Sequence, residues 1–244
     1  MKVVILAGGL GTRLSEETEL IPKPMIEISG KPMLIHIMEI YASYGFNNFY
    51  LALGYKSHQI KDYFLKYNLV NSNFSVNLED GETQIFQQKK VNWKINLIDT
   101  GLETMTGGRV KRMKDFIGDE TFLLTYGDGL ANINIKKLVD FHNSHKKIAT
   151  VTAVRPIARF GELEFDDKNQ NSVKSFMEKP QINQGWINGG FFVFNKEIFN
   201  YLDNDQTILE RKPLESLAKK SELQAYKHEG FWQCMDTKRD KDLL

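Results

Sequence analysis

The sequence predicts an α/β fold: a Rossmann-like mixed, mostly parallel sheet flanked by helices, with a small antiparallel β region added. Three observations carry this. The apolar run Val3-Val4-Ile5-Leu6 passes straight into Ala7-Gly8-Gly9-Leu10-Gly11-Thr12-Arg13, a buried strand followed by a glycine-rich turn. Strand and helix periods then alternate, which implies parallel pairing with right-handed crossovers. Between residues 70 and 98 the apolar period shortens to two, as in half-buried strands.

In chain order, Lys31-Pro32-Met33 opens the first helix, with Pro32 near its first turn. Met33, Leu34, Ile37, Met38 and Tyr41 give it an apolar stripe, and Gly45 ends it. Phe49 to Leu53 is the next buried strand, and Ile60, Tyr63, Phe64 and Tyr67 mark a second helix. Phe74, Val76 and Leu78, then Trp93, Ile95 and Leu97, alternate with polar residues and are expected as antiparallel or edge strands decorating the main sheet. A loop with Thr104, Thr106, Gly107 and Gly108 leads to a helix bearing Arg109, Lys111 and Arg112. Thr121 to Tyr126 is a strand that runs into Gly127-Asp128-Gly129. A helix through Ile135, Leu138, Val139 and His142 and a strand over 148–154 follow, then a hairpin between Phe160 and Glu178. Ile187 to Phe194 is a strand, 206–220 a helix, and Leu223 to Tyr226 a strand. There are no repeats or evident linkers. The expectation is one domain over 1–244, in two halves that divide at about residue 130.

Composition narrows the function classes. At 244 residues, 41% hydrophobic and 26% charged, the chain is an ordinary globular protein. A net charge of +1 argues against a nucleic-acid binder working through a broad basic surface. The single cysteine, Cys234, precludes an intrachain disulfide and fits a reducing compartment. No apolar stretch approaches the roughly 20 residues of a bilayer span. A soluble cytoplasmic protein, away from membranes and forming a homo-oligomer, is expected.

The glycine-rich loop calls for an anion. Its glycines let backbone N–H groups approach a phosphate, and Arg13 and Lys23 (within Pro22-Lys23-Pro24) add positive charge. The dinucleotide fingerprint fails at Leu14, which stands where helix–strand packing needs Gly or Ala. That disfavours a nicotinamide-dependent oxidoreductase. The Walker pattern fails as well, because Gly30-Lys31 is followed by Pro32. Asp128 lies beyond the carboxyl end of a strand, where open α/β sheets bind ligands, and beside a triphosphate its oxygens suit Mg²⁺. An Asp-Gly turn is the plainer alternative. His142 and His145 have no partners for a zinc site and are expected as surface or packing residues. Asp236 is a last isolated carboxylate. Phe191, Phe192 and Trp232 can form either an apolar wall under a sugar ring or core.

In this order, Gly-Gly-Leu-Gly-Thr-Arg, Lys-Pro, Gly-Asp-Gly, Glu-Lys-Pro, Asn-Gly-Gly-Phe-Phe and Trp-x-x-x-Asp-Thr resemble the sugar-1-phosphate nucleotidyltransferases over essentially the whole chain. The likeness is greatest to members that use CTP, with glucose 1-phosphate as the expected acceptor. Another acceptor phosphate, including an amino-acid phosphate, would change only the acceptor loops. The departures lie in Arg155 to Phe160, in the loop from Glu178 to Asn188, and in a chain that stops soon after Asp236.

The resemblance implies an enzyme of surface polysaccharide or capsule biosynthesis, with about 1–130 as its nucleotide-binding half and about 131–244 as its acceptor-binding half. The acceptor phosphate attacks the α-phosphorus of CTP in line and pyrophosphate leaves. Leu6, Ala7, Gly8, Gly9, Gly11, Thr12, Arg13, Lys23, Thr100, Thr104, Gly108 and Asp128 would bind the nucleotide. Arg13, Lys23 and Asp128 would be catalytic, and Asp128 and Asp236 would meet on one Mg²⁺. Arg109, Tyr126, Glu178, Lys179 and Asn188 would bind the acceptor. A non-catalytic binding module would be expected to have lost Lys23, Asp128, Lys179 or Asp236, and all four are present. Residues 14–21, acidic and without a helical or strand period, are expected to order over the site when nucleotide binds.

Overall fold

Val3, Ile5 and Ala7 face one side of the first strand and Val4 and Leu6 the other, and all five are buried. A strand apolar on both faces must lie inside a sheet covered on both sides, and the rest of the chain supplies that cover. The computed structural model describes residues 1–11, 18–88, 90–156, 162–165, 172–177 and 185–244.

β1 (Val3–Ala7) leads through the glycine loop to a 3₁₀ turn (Lys23–Met25) and a short ribbon of β2 (Glu27–Ile28) with β3 (Lys31–Pro32). Next come α1 (Met33–Ala42), β4 (Asn48–Leu53), α2 (Ser57–Val70), β5 (Ser72–Val76), β6 (Thr83–Gln88) and β7 (Lys94–Asp99). Two short helices, α3 (Thr106–Arg112) and α4 (Lys114–Ile117), precede β8 (Phe122–Tyr126) and β9 (Gly129–Ala131). The second half holds α5 (Ile135–His145), β10 (Ala149–Val154), β11 (Glu162–Phe165), β12 (Val173–Met177) and β13 (Ile187–Phe194). A 3₁₀ helix (Lys196–Tyr201), α6 (Lys212–Lys219), β14 (Leu223–His228), β15 (Trp232–Cys234) and α7 (Lys238–Asp242) follow.

Seven strands form the main sheet in the order β14-β10-β13-β8-β1-β4-β7. All pairings are parallel except those of β13, which runs antiparallel to both neighbours. This is the mixed, mostly parallel sheet expected. One apolar layer, including Met33, Ile37, Tyr41, Leu138, Phe191 and Val193, covers one face. The other face is covered by a layer that includes Val110, Met113, Phe192, Phe194, Leu214 and Leu217. Each such side chain, fully buried, contributes roughly 1.5–3 kcal/mol. Among the described residues no helix is long and apolar enough to cross a membrane.

Several expectations need adjustment. Pro32 is the N-cap of α1, one residue before its first turn, because its backbone is still extended at φ −54 and ψ 139. The hairpin of β5 and β6 is a separate two-stranded sheet, whereas β7 joins the main sheet as a parallel edge strand. Thr106, Gly107 and Gly108 are the first turn of α3 and not a loop before it. In 206–220 only Lys212–Lys219 is α-helical, starting where Pro213 fits the first turn. Phe191 and Phe192 are both core, 1% and 0% exposed on opposite faces of β13, so neither walls a sugar site. Of the stretch 14–21, residues 14–17 lie outside the described residues. The carbonyls of Thr18 and Leu20 accept bonds from Tyr55 Oη and Gln59 Nε2, both at 3.1 Å, and that of Glu19 from Lys56 Nζ.

Candidate active site

β1 and β8 are parallel neighbours, so the glycine loop and Gly127-Asp128 leave the sheet at the same edge. β13 is antiparallel to β8, which brings its amino end, with Asn188, to that edge too. β15 pairs with β9, and the Met235 N–H donates to the Asp128 carbonyl at 2.8 Å. That pairing carries Asp236 to Asp128 from the far end of the chain.

Lys23 sits where these pieces converge, in a 3₁₀ turn started by Pro22 and Pro24. Its Nζ donates to Asp128 Oδ2 and to Asp236 Oδ1, each at 2.7 Å. Burial works against its charge, but Asp128 and Asp236 outweigh burial and hold the ammonium above the ordinary lysine pKa. Cys234, next to these carboxylates, is pushed up to about 11, by burial first and then by Asp236 and Asp128. Its thiol stays protonated at neutral pH.

A cavity of about 330 Å³ opens over this cluster, lined by Leu6, Ala7, Gly8, Gly9 and Gly11 of the loop and by Lys23, Asp128 and Asp236. Tyr126, Thr104 and Arg109 also line it. The glycines divide by role. A Cβ on Gly9 would meet nothing within 4 Å, so its backbone is open to a ligand. A Cβ on Gly8 would collide with the Arg109 guanidinium, so Gly8 is required by packing. Gly11 has φ +67, a conformation that favours glycine.

Three further residues expected at the site are held in contacts within the protein. Arg109, expected at the acceptor, is 4% exposed, and its guanidinium is occupied. Nη1 donates to Leu53 O (3.1 Å), Thr100 Oγ1 (2.8 Å) and Gly101 O (2.7 Å), and Nη2 to Gly8 O (2.9 Å) and Leu102 O (3.2 Å). It ties the glycine loop to the ends of β4 and β7, and burial lowers its pKa. Thr100, expected at the nucleotide, is fully buried and donates to Leu53 O at 2.6 Å. Gly108, likewise expected there, packs on the Asp205 backbone and donates to Thr207 O at 3.1 Å. Thr12, Arg13, Glu178 and Lys179 lie outside the described residues.

Tyr126 and Asn188 are brought together, Asn188 Nδ2 donating to Tyr126 Oη at 3.2 Å. Tyr126 Oη in turn donates to Glu210 Oε1 at 2.5 Å, and burial together with Glu210 raises its pKa. Glu210 is not marked in the sequence, since Leu209-Glu210-Arg211 carries no motif. His142 is buried between Thr150 (2.8 Å) and Asn195 (3.2 Å), a packing role as expected.

Among the described residues no group of three or more His, Cys, Asp or Glu gathers as a metal site. Asp128 and Asp236 nevertheless present hard carboxylate oxygens to one point, now taken by the Lys23 ammonium. That donor pair fits Mg²⁺, which commonly takes one or two carboxylates plus substrate phosphate oxygens and water.

Residues 2–237 match the family described as Nucleotidyl transferase. The glucose-1-phosphate cytidylyltransferase of Salmonella typhimurium is 49% identical over 245 residues, covering 100% of this chain and 94% of its own. The probable glucose-1-phosphate cytidylyltransferase of Bacillus subtilis is also 49% identical, over 97% of this chain and 92% of its own. Among solved structures, HddC from Yersinia pseudotuberculosis complexed with GMP-PN superposes with a TM-score of 0.70 at 28% identity, covering 99% and 96% of the two chains.

Proposed function

The chain belongs to the nucleotidyl transferase family, and from that premise we propose that it condenses CTP with glucose 1-phosphate to give CDP-glucose and pyrophosphate. The observation that carries the chemistry is the Lys23 ammonium held 2.7 Å from both Asp128 and Asp236 beside the open backbone at Gly9. The choice of substrates follows the full-length relatives at 49% identity. They are named for a sugar phosphate, which favours a sugar over an amino-acid phosphate.

The nucleophile is a phosphate oxygen that is already an anion, so no general base is required. The protein has to bring two polyanions together and offset the charge that develops at the α-phosphorus. Backbone N–H groups of Gly8 to Gly11, with Thr12 and Arg13, bind the β- and γ-phosphates, and Lys23 serves the α-phosphate. Asp128 and Asp236 would hold Mg²⁺, which when bound neutralises charge on the triphosphate. Lys179 takes the acceptor phosphate, and Glu178, Asn188 and Tyr126 read the sugar. The product, made in the cytoplasm, is an activated glucosyl donor whose proposed use is surface polysaccharide biosynthesis.

The test is pyrophosphate release from each of the four ribonucleoside triphosphates against a panel of hexose 1-phosphates. Release from CTP with glucose 1-phosphate, abolished by EDTA and restored by Mg²⁺, is the expected result. Hydrolysis of CTP without an acceptor, or a preference for another triphosphate, would overturn the assignment.

A further inference from the structure

Glu210 stands just before α6 and grips two hydroxyls. Thr106 Oγ1 donates to its Oε2 at 2.7 Å and Tyr126 Oη to its Oε1 at 2.5 Å. Both hydroxyls belong to residues lining the cavity above Lys23, whereas Glu210 stands behind them. We propose that Glu210 is a positioning residue for the acceptor: it sets the hydrogen-bond polarity of Tyr126 and, through it, of Asn188. The inference rests on the acceptor role of Asn188 given above.

The polarity follows from counting hydrogens. An ionised carboxylate only accepts, so the single phenol hydrogen of Tyr126 must point at Glu210. The phenol oxygen then has only lone pairs for Asn188, which must turn its NH₂ toward it, as the 3.2 Å contact from Nδ2 requires. The other end of the same amide is fixed independently, because Gly190 N donates to Asn188 Oδ1 at 2.9 Å. Asn188 is thereby held in one orientation at the exposed end of β13. Among the described residues its second amide hydrogen has no acceptor, and it is the group left for an acceptor hydroxyl. The same logic holds at Thr106, whose oxygen already accepts Leu209 N at 3.0 Å, so its hydrogen also belongs to Glu210.

An amide in place of this carboxylate cannot satisfy both hydroxyls. If the amide nitrogen introduced by Glu210→Gln faced Thr106, the threonine hydrogen would lose its partner. If it faced Tyr126, the phenol hydrogen would reverse toward Asn188, which would have to flip and abandon Gly190. In the first case a neutral amide oxygen holds the phenol hydrogen more weakly than the carboxylate does, and in the second Asn188 is reversed, while in both Lys23 and the glycine loop are untouched.

The experiment is a double-mutant cycle on the full chain with Glu210→Gln, Tyr126→Phe and the pair, measuring KM and kcat for acceptor and CTP separately. Glu210→Gln should raise the KM for glucose 1-phosphate about tenfold, as loss of a charge-assisted hydrogen bond does. It should leave the KM for CTP within about twofold, since the same bond touches no nucleotide residue. Discrimination against galactose 1-phosphate should fall with it. In the Tyr126→Phe background Glu210→Gln should add little, because its route to Asn188 is already cut. Independent, multiplying effects in the cycle, or equal rises in both KM values, would overturn the positioning role. Wild-type enzyme that ignores every hexose 1-phosphate would instead remove the functional reading, and this role with it.

Discussion

Replacing Lys23 with Met removes the ammonium that bridges Asp128 and Asp236, and its consequences can be worked from the geometry. Each carboxylate oxygen is 2.7 Å from Nζ, so the two oxygens cannot lie farther apart than twice that distance. At about 5 Å and an effective dielectric of about 20, two like charges repel by roughly 3 kcal/mol. The carboxylates are 30% and 26% exposed, and solvent screening reduces the realised loss of stability to about 1–2 kcal/mol. The variant should therefore melt lower than wild type in EDTA. It should also bind Mn²⁺ about tenfold more tightly in the absence of nucleotide, because the metal no longer competes with a resident ammonium. Turnover should fall on the order of 10²–10³, about 2.7–4 kcal/mol, the scale for removing one transition-state charge contact. Mn²⁺ titration by calorimetry, thermal melts with and without metal, and pyrophosphate release read these three effects. The stability difference also has a pH signature. The Lys23 pKa is raised in the fold, so its contribution is complete below the unfolded value of about 10.4 and disappears as pH rises through the folded value. Equal Mn²⁺ affinity in wild type and Lys23→Met would refute the competition, and unchanged turnover would remove Lys23 from the reaction.

Arg109→Met should unfold at lower urea, by about 3 kcal/mol, because the charge-assisted bonds to Gly8 O, Leu53 O, Gly101 O and Leu102 O are lost, leaving Gly8 O and Leu53 O with the N–H groups of Tyr55 and Thr100. Arg109→Lys should recover only part of this, since an ammonium cannot fork between two loops; full recovery would contradict the role of Arg109 as a pin. Gly190→Ala should cost about 1–2 kcal/mol in melting stability for a residue at φ +79, and should raise the acceptor KM because its Cβ would fall 2.5 Å from Tyr126 Cδ2. A variant with wild-type acceptor KM would show that Tyr126 has room to move. His142 has its pKa lowered, by burial against the opposing bond to Asn195, with His145 lowering it further. Its contribution to stability is thus full above the unfolded value of about 6.5 and declines as pH falls from there toward the lowered folded value. Melting temperature should drop through that window in wild type, and His142→Gln should flatten the slope even if it melts lower throughout.

Much of the chemistry was legible in the chain because it depends on local pattern. The apolar run before Gly8-Gly9-Leu10-Gly11 declared a buried strand entering a phosphate loop, and Lys23 and Asp128 each lie next to a proline or glycine that marks a turn. Alternating strand and helix periods declared the sheet, and the motif order declared the family. What tertiary structure decided were the partners of side chains whose neighbours are remote in sequence. Arg109 and Thr100 look like ligand residues in a motif, yet the packing of α3 against β4 turns both inward to serve backbone carbonyls. Gly108 looks like part of a loop, yet its missing side chain makes room for Asp205. Glu210 carries no local signal at all and becomes important only because the fold places it between Thr106 and Tyr126. The sharing of Lys23 by Asp128 and Asp236 is likewise set by the pairing of β15 with β9. Periodicity reports which face of an element is buried, but the partner of a polar group depends on which elements the sheet order brings together. For this chain that order sets antiparallel β13 against β8, and so places Asn188 beside Tyr126.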